Sequence, residues 1–259
     1  MNQVIDTLLN RKSIRSYQPD IPSDEKIRTI VRAGQQAPFA AQLYSVLLKK
    51  KDNASKLPFA APLLFTICLD LHKLELIMDE RGWTTATNDL SFIFFAIQDA
   101  ALMAENMVIA AESLGLGSCF LGATPYKASK IAREYSLPAR VFPLVQLVMG
   151  YPSEVHPPRP RYPLEYVLFE DTYPELDQAK IRRAMQVMDE GYLAQDYYRN
   201  LQAMIPLQGG KEETFDYSNY SWTEHISRKW GQWLQDPEQL QTQLEACGIN
   251  ITAFQDKKT

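Results

Sequence analysis

One segment constrains the fold of this chain more than any other. Residues 92–114 are almost entirely apolar, and the polar residues among them form three pairs spaced seven residues apart. The pairs are Gln98/Asp99, Glu105/Asn106 and Glu112/Ser113. Seven residues is nearly two helical turns, so the pairs share one narrow stripe of a helix. We expect a long helix that meets water only along this stripe and is otherwise buried, in a large core or in a subunit interface.

The composition excludes several classes of protein. The 259 residues are 46% hydrophobic and 22% charged, so an ordinary core can form without disulfides or metal. A net charge of -4 disfavours a nucleic-acid binder. Three widely spaced cysteines, without a C-x-x-C motif, indicate neither a disulfide framework nor a zinc site.

We expect a cytoplasmic protein rather than a secreted or membrane protein. The first residues lack the charged and then apolar pattern of a secretory signal. The most apolar stretch is interrupted by Asp99, Glu105 and Glu112, which a membrane-spanning helix would not carry without cause.

Local patterns predict a mixture of helices and strands. Strands are expected over 44–49, 62–69, 118–121 and 143–149, with a short charged connector over 50–56. Helices are expected over 2–9, from the N-cap Ser23, and over 125–135, 176–203, 222–235 and 237–247. The tail is rich in aromatic residues: Tyr197, Tyr198, Phe215, Tyr217, Tyr220, Trp222, Trp230 and Trp233.

A basic segment, Arg11-Lys12-Ser13-Ile14-Arg15, follows the first predicted helix. In extended chain Arg11, Ser13 and Arg15 share one face while Ile14 points inward. Two guanidinium groups beside a hydroxyl suit a phosphate monoester. The alternative, that the basic residues only complement a helix C-terminus, stays open on the pattern alone.

A second basic group, Arg159-Pro160-Arg161, lies among five prolines between residues 152 and 163. Proline stiffens the backbone and holds it extended, which lowers the entropy lost when a ligand is bound. The two basic groups could converge on one phosphate, or this segment could be a solvated loop.

Common catalytic motifs are absent. The sequence has no G-x-S-x-G elbow and no phosphate-binding P-loop, and Gly115-Leu-Gly117 lacks the third glycine of a dinucleotide fingerprint. The three histidines are scattered and suggest no metal centre. We therefore name no catalytic side chain, and expect either a binding protein or a cofactor that performs the chemistry.

Four stretches resemble, in the same order, the FMN-dependent nitroreductase family. The resemblance is strongest to the branch that contains flavin reductases and oxygen-insensitive NADPH nitroreductases. The stretches are residues 11–19 with 37–42, residues 99–123, Gly150-Tyr-Pro with Arg159-Pro-Arg161, and residues 170–173 with 220–226 in the tail. Together they cover most of the chain, and the ordered set is more specific than any one motif.

The resemblance implies a fold of the α+β class. This is a three-layer α/β/α arrangement around a mixed, mainly antiparallel sheet. It implies a homodimer with FMN at the interface, an FMN-binding core over residues 1–175, and a helical C-terminal extension over 176–259 that packs on the core or on the partner subunit.

Site residues also follow from the resemblance. The phosphate and ribityl chain of FMN would be held by Arg11, Lys12, Ser13 and Arg15, joined by Arg159 and Arg161. The flavin ring would be lined by Phe39, Ala40 and Gln42, and along the region of N5 by Leu121, Gly122 and Ala123. Glycine at 122 independently suits a close approach of backbone to a flat ring.

The implied activity is transfer of hydride from NADPH or NADH, via flavin N5, to a small-molecule acceptor such as a nitroaromatic, a quinone or a flavin. The expected scheme is ping-pong, and water can supply the protons. Three alternatives stay open: another flavin specialty on this fold, such as ene reduction or dehalogenation; a non-catalytic FMN store or sensor; and a helical interaction protein without a cofactor.

The sequence departs from the family in two places. The connector between the first two strands is too short for the branch's Gly-Gly-Gln element, which contacts the flavin ring, and the second departure leaves the electron donor open. Where the branch reads the NADPH 2′-phosphate with arginines, this chain has only Arg199 and Lys211 between Tyr198 and Trp222.

Overall fold

The chain forms two units, seen in a computed structural model that describes residues 2–52, 56–232, 236 and 238–251. The first unit comprises Met1–His156 and Asp236–Thr259, and the second comprises Pro157–Gln235. The division into a core over 1–175 and an extension over 176–259 is defined by cofactor binding and stays a prediction.

A four-stranded sheet lies in the first unit. Its strands are β1 (Tyr44–Lys50), β2 (Leu63–Asp70), β3 (Gly117–Leu121) and β4 (Val141–Gly150), in the order β1-β2-β4-β3 with every pairing antiparallel. All residues of β2 are buried, as its almost unbroken apolar sequence predicts. One parallel bridge joins Ser13 to Ser118 on β3. The four predicted strands and the α+β fold class are confirmed.

The helices are α1 (Gln3–Asn10), α2 (Asp24–Gln35), α3 (His72–Glu80), α4 (Asp89–Ser113), α5 (Ala128–Glu134), α6 (Gln178–Leu193), α7 (Tyr197–Leu201), α8 (Trp222–Gly231) and α9 (Gln239–Ala246). In the first unit α4 packs against the sheet and α2, α5 packs against β4, and α9 packs against α5. The predicted cap Ser23 accepts a hydrogen bond from the backbone N–H of Lys26 at 3.3 Å.

Helix α4 is the predicted long helix, but it begins three residues earlier than expected. The side chain of Asn88 caps it by accepting from the N–H of Ser91 at 2.9 Å. Beyond its C-terminus Gly115 has φ 77, the left-handed conformation that glycine adopts at low cost.

The expectation of a wet polar stripe is wrong at Asp99, and so is full burial of the rest of α4 in the core of this chain, whereas its burial in a subunit interface stays a prediction. Asp99 is 1% exposed, whereas Phe94 is 63% exposed. Other large apolar side chains of α4 also lie on the surface of this chain: Leu90, Phe95, Ile97 and Leu102. The helix therefore contributes one face to the core and leaves a second apolar face that the described part of the chain does not cover.

By length and composition alone, α4 could also cross a membrane. Its core-facing residues include Ala96, Ala100, Met103 and Met107, and the buried Asp99 accepts backbone hydrogen bonds from another segment. Since the core helix of a soluble protein passes the same test, the test is weak evidence for a membrane span.

In the second unit α6 packs against α7 and α8. The single helix expected over 176–203 is interrupted, because Asp196 adopts a left-handed conformation with φ 46. Tyr198 lies among the rings of Tyr192, Tyr197, Tyr220 and His225. These aromatic residues thus pack on one another.

A buried arginine ties the irregular part of this unit to α8. The guanidinium of Arg228 donates to both carboxylate oxygens of Glu213, at 2.6 and 2.7 Å, and to Glu224 at 2.7 Å. Two carboxylates supply acceptors for the hydrogen-bond donors of the buried guanidinium, so it needs no water. Parts of the predicted connector over 50–56 and of the helices over 222–235 and 237–247, with Trp233, lie outside the described residues.

Candidate cofactor site

The segment after α1 is extended, as predicted. Ile14 is 2% exposed, and its N–H donates to the carbonyl of Ser118 at 2.8 Å. Arg11, Ser13 and Arg15 are only partly buried, because alternate side chains of an extended segment point to opposite sides. The inward position of Ile14 is confirmed, and the role of these residues in phosphate binding stays a prediction.

A second extended segment fixes the backbone of the first. The carboxylate of Glu154 accepts from the N–H of Arg15 at 2.5 Å and of Ser16 at 3.2 Å. The Nε2 atom of His156 lies 3.1 Å from the carbonyl oxygen of Ser13. These contacts occupy backbone groups and leave the arginine side chains for another partner.

The cations of this segment lack carboxylate partners in the part of the chain that the structure describes. Within those residues, none of Arg11, Lys12 and Arg15 forms an ion pair. Glu112 is near enough to respond to their charge: burial raises its pKa, and the positive charges of Arg11 and Lys12 act in the opposite direction. Partly buried guanidinium groups without a carboxylate form a suitable site for an anion.

The loop between α2 and β1 carries the residues expected to line the flavin ring. Phe39, Ala40 and Gln42 are exposed on it, and Gln42 has φ 53. The N–H groups of Ala40 and Leu43 donate to the carboxylate of Asp99, at 2.6 and 3.0 Å. Sequence reasoning assigned Asp99 to a solvated stripe and missed this contact. The available signal was a carboxylate within an otherwise apolar stretch.

The third predicted segment, Leu121-Gly122-Ala123, starts at the last residue of β3, and Gly122 lies at an open cleft of about 380 Å³. The cleft is lined by Phe120, Gly122 and residues of α4 and β4. A Cβ atom built on Gly122 would meet nothing within 4 Å, so the backbone here faces open space. The turn is fixed by Thr124, whose hydroxyl donates to the carbonyl of Leu121 at 2.6 Å.

Arg159 and Arg161 belong to the second unit. The guanidinium of Arg159 lies 4.2 Å from the ring centroid of Tyr197 and donates to Gln195 at 2.5 Å. Arg161 is exposed, and its Nη1 donates to the carbonyls of Arg159 and Pro160 at 2.9 and 3.0 Å. That the two arginines converge with Arg11 and Arg15 on one phosphate stays a prediction.

The residues of the first unit fit FMN. The partly buried cations suit a phosphate, and the cleft beside Gly122 offers an apolar wall and open backbone to a flat ring. Each property alone is common. Here the cations lie on the segment that contains Ser13, the cleft lies at the end of β3, and the bridge between Ser13 and Ser118 joins these two parts of the chain.

Comparison with known proteins gives the same picture. The model of the nitroreductase family matches residues 8–49 and 44–151. The FMN reductase (NADPH) of Bacillus subtilis (strain 168) is 32% identical over 229 residues, which cover 83% of this chain and 89% of that protein. An NADPH-flavin oxidoreductase of Vibrio harveyi is 27% identical over 74% of this chain and 83% of its own length.

Solved structures agree over nearly the whole chain. NfrA1 of B. megaterium superposes with a TM-score of 0.80 at 28% identity, covering 96% of this chain and all of that one. The predicted family, fold and enzyme class are confirmed, and this chain belongs to the nitroreductase family of oxidoreductases.

Proposed function

We propose that this chain is a homodimeric, cytoplasmic enzyme that uses FMN to transfer hydride from NAD(P)H to small acceptors in a ping-pong scheme. The acceptors are nitroaromatics, quinones or flavins. The chain is a nitroreductase-family oxidoreductase with FMN as its cofactor and NAD(P)H as its co-substrate. The observation that carries the site is the extended segment over residues 11–15, whose cations have no carboxylate partner among the described residues.

Two parts of the chain divide the binding of FMN. Arg11, Lys12, Ser13 and Arg15 bind the phosphate end, together with Arg159 and Arg161, because guanidinium groups donate two parallel hydrogen bonds to a phosphate. The exposed loop with Phe39, Ala40 and Gln42, and the turn with Leu121, Gly122 and Ala123, contact the ring.

When bound, FMN would supply the redox chemistry, which is hydride acceptance from NAD(P)H and delivery of the reducing equivalents to a second substrate. The loop with Phe39 and Gln42 and the turn with Gly122 would hold and orient the ring. Backbone N–H groups at Gly122 and Ala123 stabilise negative charge near the ring. No side chain is required as a general acid.

The proposal of a dimer is supported by apolar side chains that are exposed in the single chain. No residue of α1 is buried, and Val4 and Leu9 are among its most exposed side chains. The exposed face of α4 adds Phe94, Phe95 and Leu102. Exposed apolar side chains in this number indicate a binding partner, and a second copy of the chain is the simplest one.

A reducing compartment is supported by the cysteines. Cys68, Cys119 and Cys247 are all unpaired and buried. Burial, with the charge of Asp70 as a smaller cause, raises the pKa of the Cys68 thiol to about 12. Such a thiol stays protonated and unreactive, which fits a structural role in the core.

The test is a steady-state survey of the purified protein with NADPH and NADH against a nitroaromatic, a quinone and free flavin. We expect oxidation of the nicotinamide to depend on the acceptor and to give parallel double-reciprocal lines. Intersecting lines would contradict the ping-pong scheme. A protein that binds FMN but turns over none of the acceptors would favour the store or sensor alternative.

A further inference from the structure

Asp99 is the most buried acidic side chain of α4, at 1% exposed. Among the described residues it forms no ion pair, and its partners are backbone N–H groups. Its Oδ1 accepts from the N–H of Ala40 at 2.6 Å. Its Oδ2 accepts from the N–H groups of Ala41 at 3.1 Å and Leu43 at 3.0 Å. One carboxylate therefore satisfies three backbone donors of a single loop, 56 to 59 residues away along the chain.

The loop conformation depends on these bonds. Gln42 has φ 53, a region that residues with a Cβ adopt only when their surroundings require it. The carbonyl of Gln42 accepts from the N–H of Tyr44 at 2.8 Å, so the chain folds back sharply before β1. Without the carboxylate, three N–H groups would turn toward the core without an acceptor, which is costly.

The outer side of the same loop is the side expected to touch the flavin. Phe39 is 53% exposed, and Ala40 and Gln42 are exposed beside it. An exposed loop normally loses conformational entropy when it orders against a ligand. Bonds to a buried carboxylate remove much of that loss, because they fix the backbone before the ligand arrives.

Helix α4 reaches both predicted contacts of the ring. Asp99 holds the loop, and two to six residues later Ala101, Ala104 and Glu105 line the cleft beside Gly122. One rigid helix thus carries both the carboxylate that holds the loop and part of the lining of the cleft. A site built on rigid elements holds its geometry more closely than one built on loops alone.

We propose that Asp99 is a positioning residue for the cofactor: its carboxylate shapes the loop over residues 38–43 so that this loop is ready to bind the isoalloxazine ring. This inference rests on the proposed function, and it assigns Asp99 to the ring and not to the phosphate. Asp99 touches neither substrate nor cofactor and acts through the loop.

The test titrates the apoprotein with FMN and with riboflavin, followed by flavin fluorescence, for the parent and for Asp99→Asn. The amide group cannot accept all three hydrogen bonds, since one of its atoms is itself a donor. We expect both dissociation constants to rise about tenfold or more, by the same factor, because both ligands contain the ring. Hydrogen exchange of the apoprotein should be faster in the peptide that contains residues 38–43.

Two variants serve as controls. Asp89→Asn makes the same change at a partly buried carboxylate of α4, ten residues before Asp99, that accepts the N–H of Asn250 at 2.7 Å. It should leave both dissociation constants within about twofold of the parent. Arg15→Ala should weaken FMN and spare riboflavin, since only FMN carries the phosphate.

Several results would overturn the inference. A folded Asp99→Asn protein with faster loop exchange and unchanged dissociation constants would make Asp99 a purely structural residue. If the variant binds FMN more weakly but riboflavin as tightly as the parent does, Asp99 acts on the phosphate. If the variant does not fold, exchange in the parent apoprotein decides, because unprotected amides at Ala40, Ala41 and Leu43 would contradict the proposal. If the parent binds neither FMN nor riboflavin, the proposed function itself is wrong.

Discussion

At the scale of single residues, the proposed phosphate site around Arg15 uses backbone and side chain for different purposes. Glu154 occupies the N–H groups of Arg15 and Ser16, and the guanidinium of Arg15 has no ion-pair partner among the described residues. A fixed backbone with an uncommitted guanidinium is pre-organised for an anion, since little entropy is lost when the anion arrives.

The first prediction is that Arg15→Ala weakens FMN by about 1.5–3 kcal/mol, the contribution of hydrogen bonds to a charged group. Riboflavin should bind the variant and the parent almost equally, because it lacks the phosphate. Titration of the apoprotein by flavin fluorescence measures both. Arg32→Ala removes an exposed arginine of α2 and should change neither value. Equal loss for both ligands would remove Arg15 from the phosphate site.

The second prediction concerns His225, which stacks on Tyr198 with ring centroids 4.5 Å apart. Burial, and then the charge of Lys229, lower the pKa of His225 below 6.5. The unfolded chain therefore takes up this proton at a higher pH than the folded chain does. The free energy of unfolding should fall as the pH drops through 6.5 toward the folded pKa.

Urea unfolding, followed by tryptophan fluorescence between about pH 7.5 and 5.5, measures this dependence. His225→Asn removes the titrating group and should flatten the fall in that interval. A variant that loses stability with the same slope as the parent would show that other groups set the dependence.

At the scale of elements, α4 joins the core, the loop before β1 and an uncovered apolar face. Its buried face includes Ala96, Ala100 and Met103, and its exposed face includes Phe94 and Leu102. A helix with two apolar faces can bury one in its own unit and the other in a partner.

The third prediction is that Phe94→Glu weakens the dimer. The parent should sediment as a dimer at working concentrations, and loss of one buried phenyl ring costs roughly 1.5–3 kcal/mol, or about tenfold or more in the dissociation constant. Analytical ultracentrifugation over a concentration series measures it. Ile77→Glu makes a similar change on the exposed face of α3 and should leave the dimer intact. A parent that sediments as a monomer would contradict the proposed assembly.

The elements themselves were predictable because their signals are local. The cap at Ser23, the glycine after α4 and the apolar run of β2 each act within a few residues. The orientation of α4 was not predictable, because periodicity groups residues on a stripe without saying which stripe meets the core. The role of Asp99 depends on a loop 56 to 59 residues away, and no local pattern contains that contact.

The site was predictable in part for the same reason. The alternation around Ile14 is a property of extended chain and could be derived from the sequence, whereas the partners of Arg159 could not. Its guanidinium lies over Tyr197 and donates to Gln195, contacts that exist only after the interruption at Asp196 places α7. The assignment of these residues to FMN came from resemblance to the family and stays a prediction.

At the scale of the whole molecule, the choice of electron donor depends on cations available to the 2′-phosphate of NADPH. Arg199 pairs with Asp196 at 2.9 Å and donates to the carbonyl of Tyr217 at 3.1 Å, so it is already engaged. Lys211 is exposed beside Gly209 and Gly210, and its long side chain would lose entropy on binding.

The fourth prediction is therefore weak discrimination, with both NADPH and NADH used. One charge-assisted hydrogen bond contributes about 1.5–3 kcal/mol, so the ratio of kcat/KM should stay below about 100. Lys211→Ala should lower the ratio further, and Lys130→Ala, at an exposed lysine of α5, should not. A larger preference for NADPH that survives Lys211→Ala would defeat both the expectation and the residue.

The central claim is that this chain binds FMN and lets NAD(P)H reduce it, and one anaerobic measurement tests it. The purified protein is mixed with NADPH or NADH without an acceptor, and its visible absorbance is followed before and after a quinone is added. We expect a yellow protein whose flavin absorbance is bleached by the nicotinamide and restored by the quinone. A protein that retains no FMN, or whose bound FMN keeps its absorbance with both nicotinamides, would contradict the account.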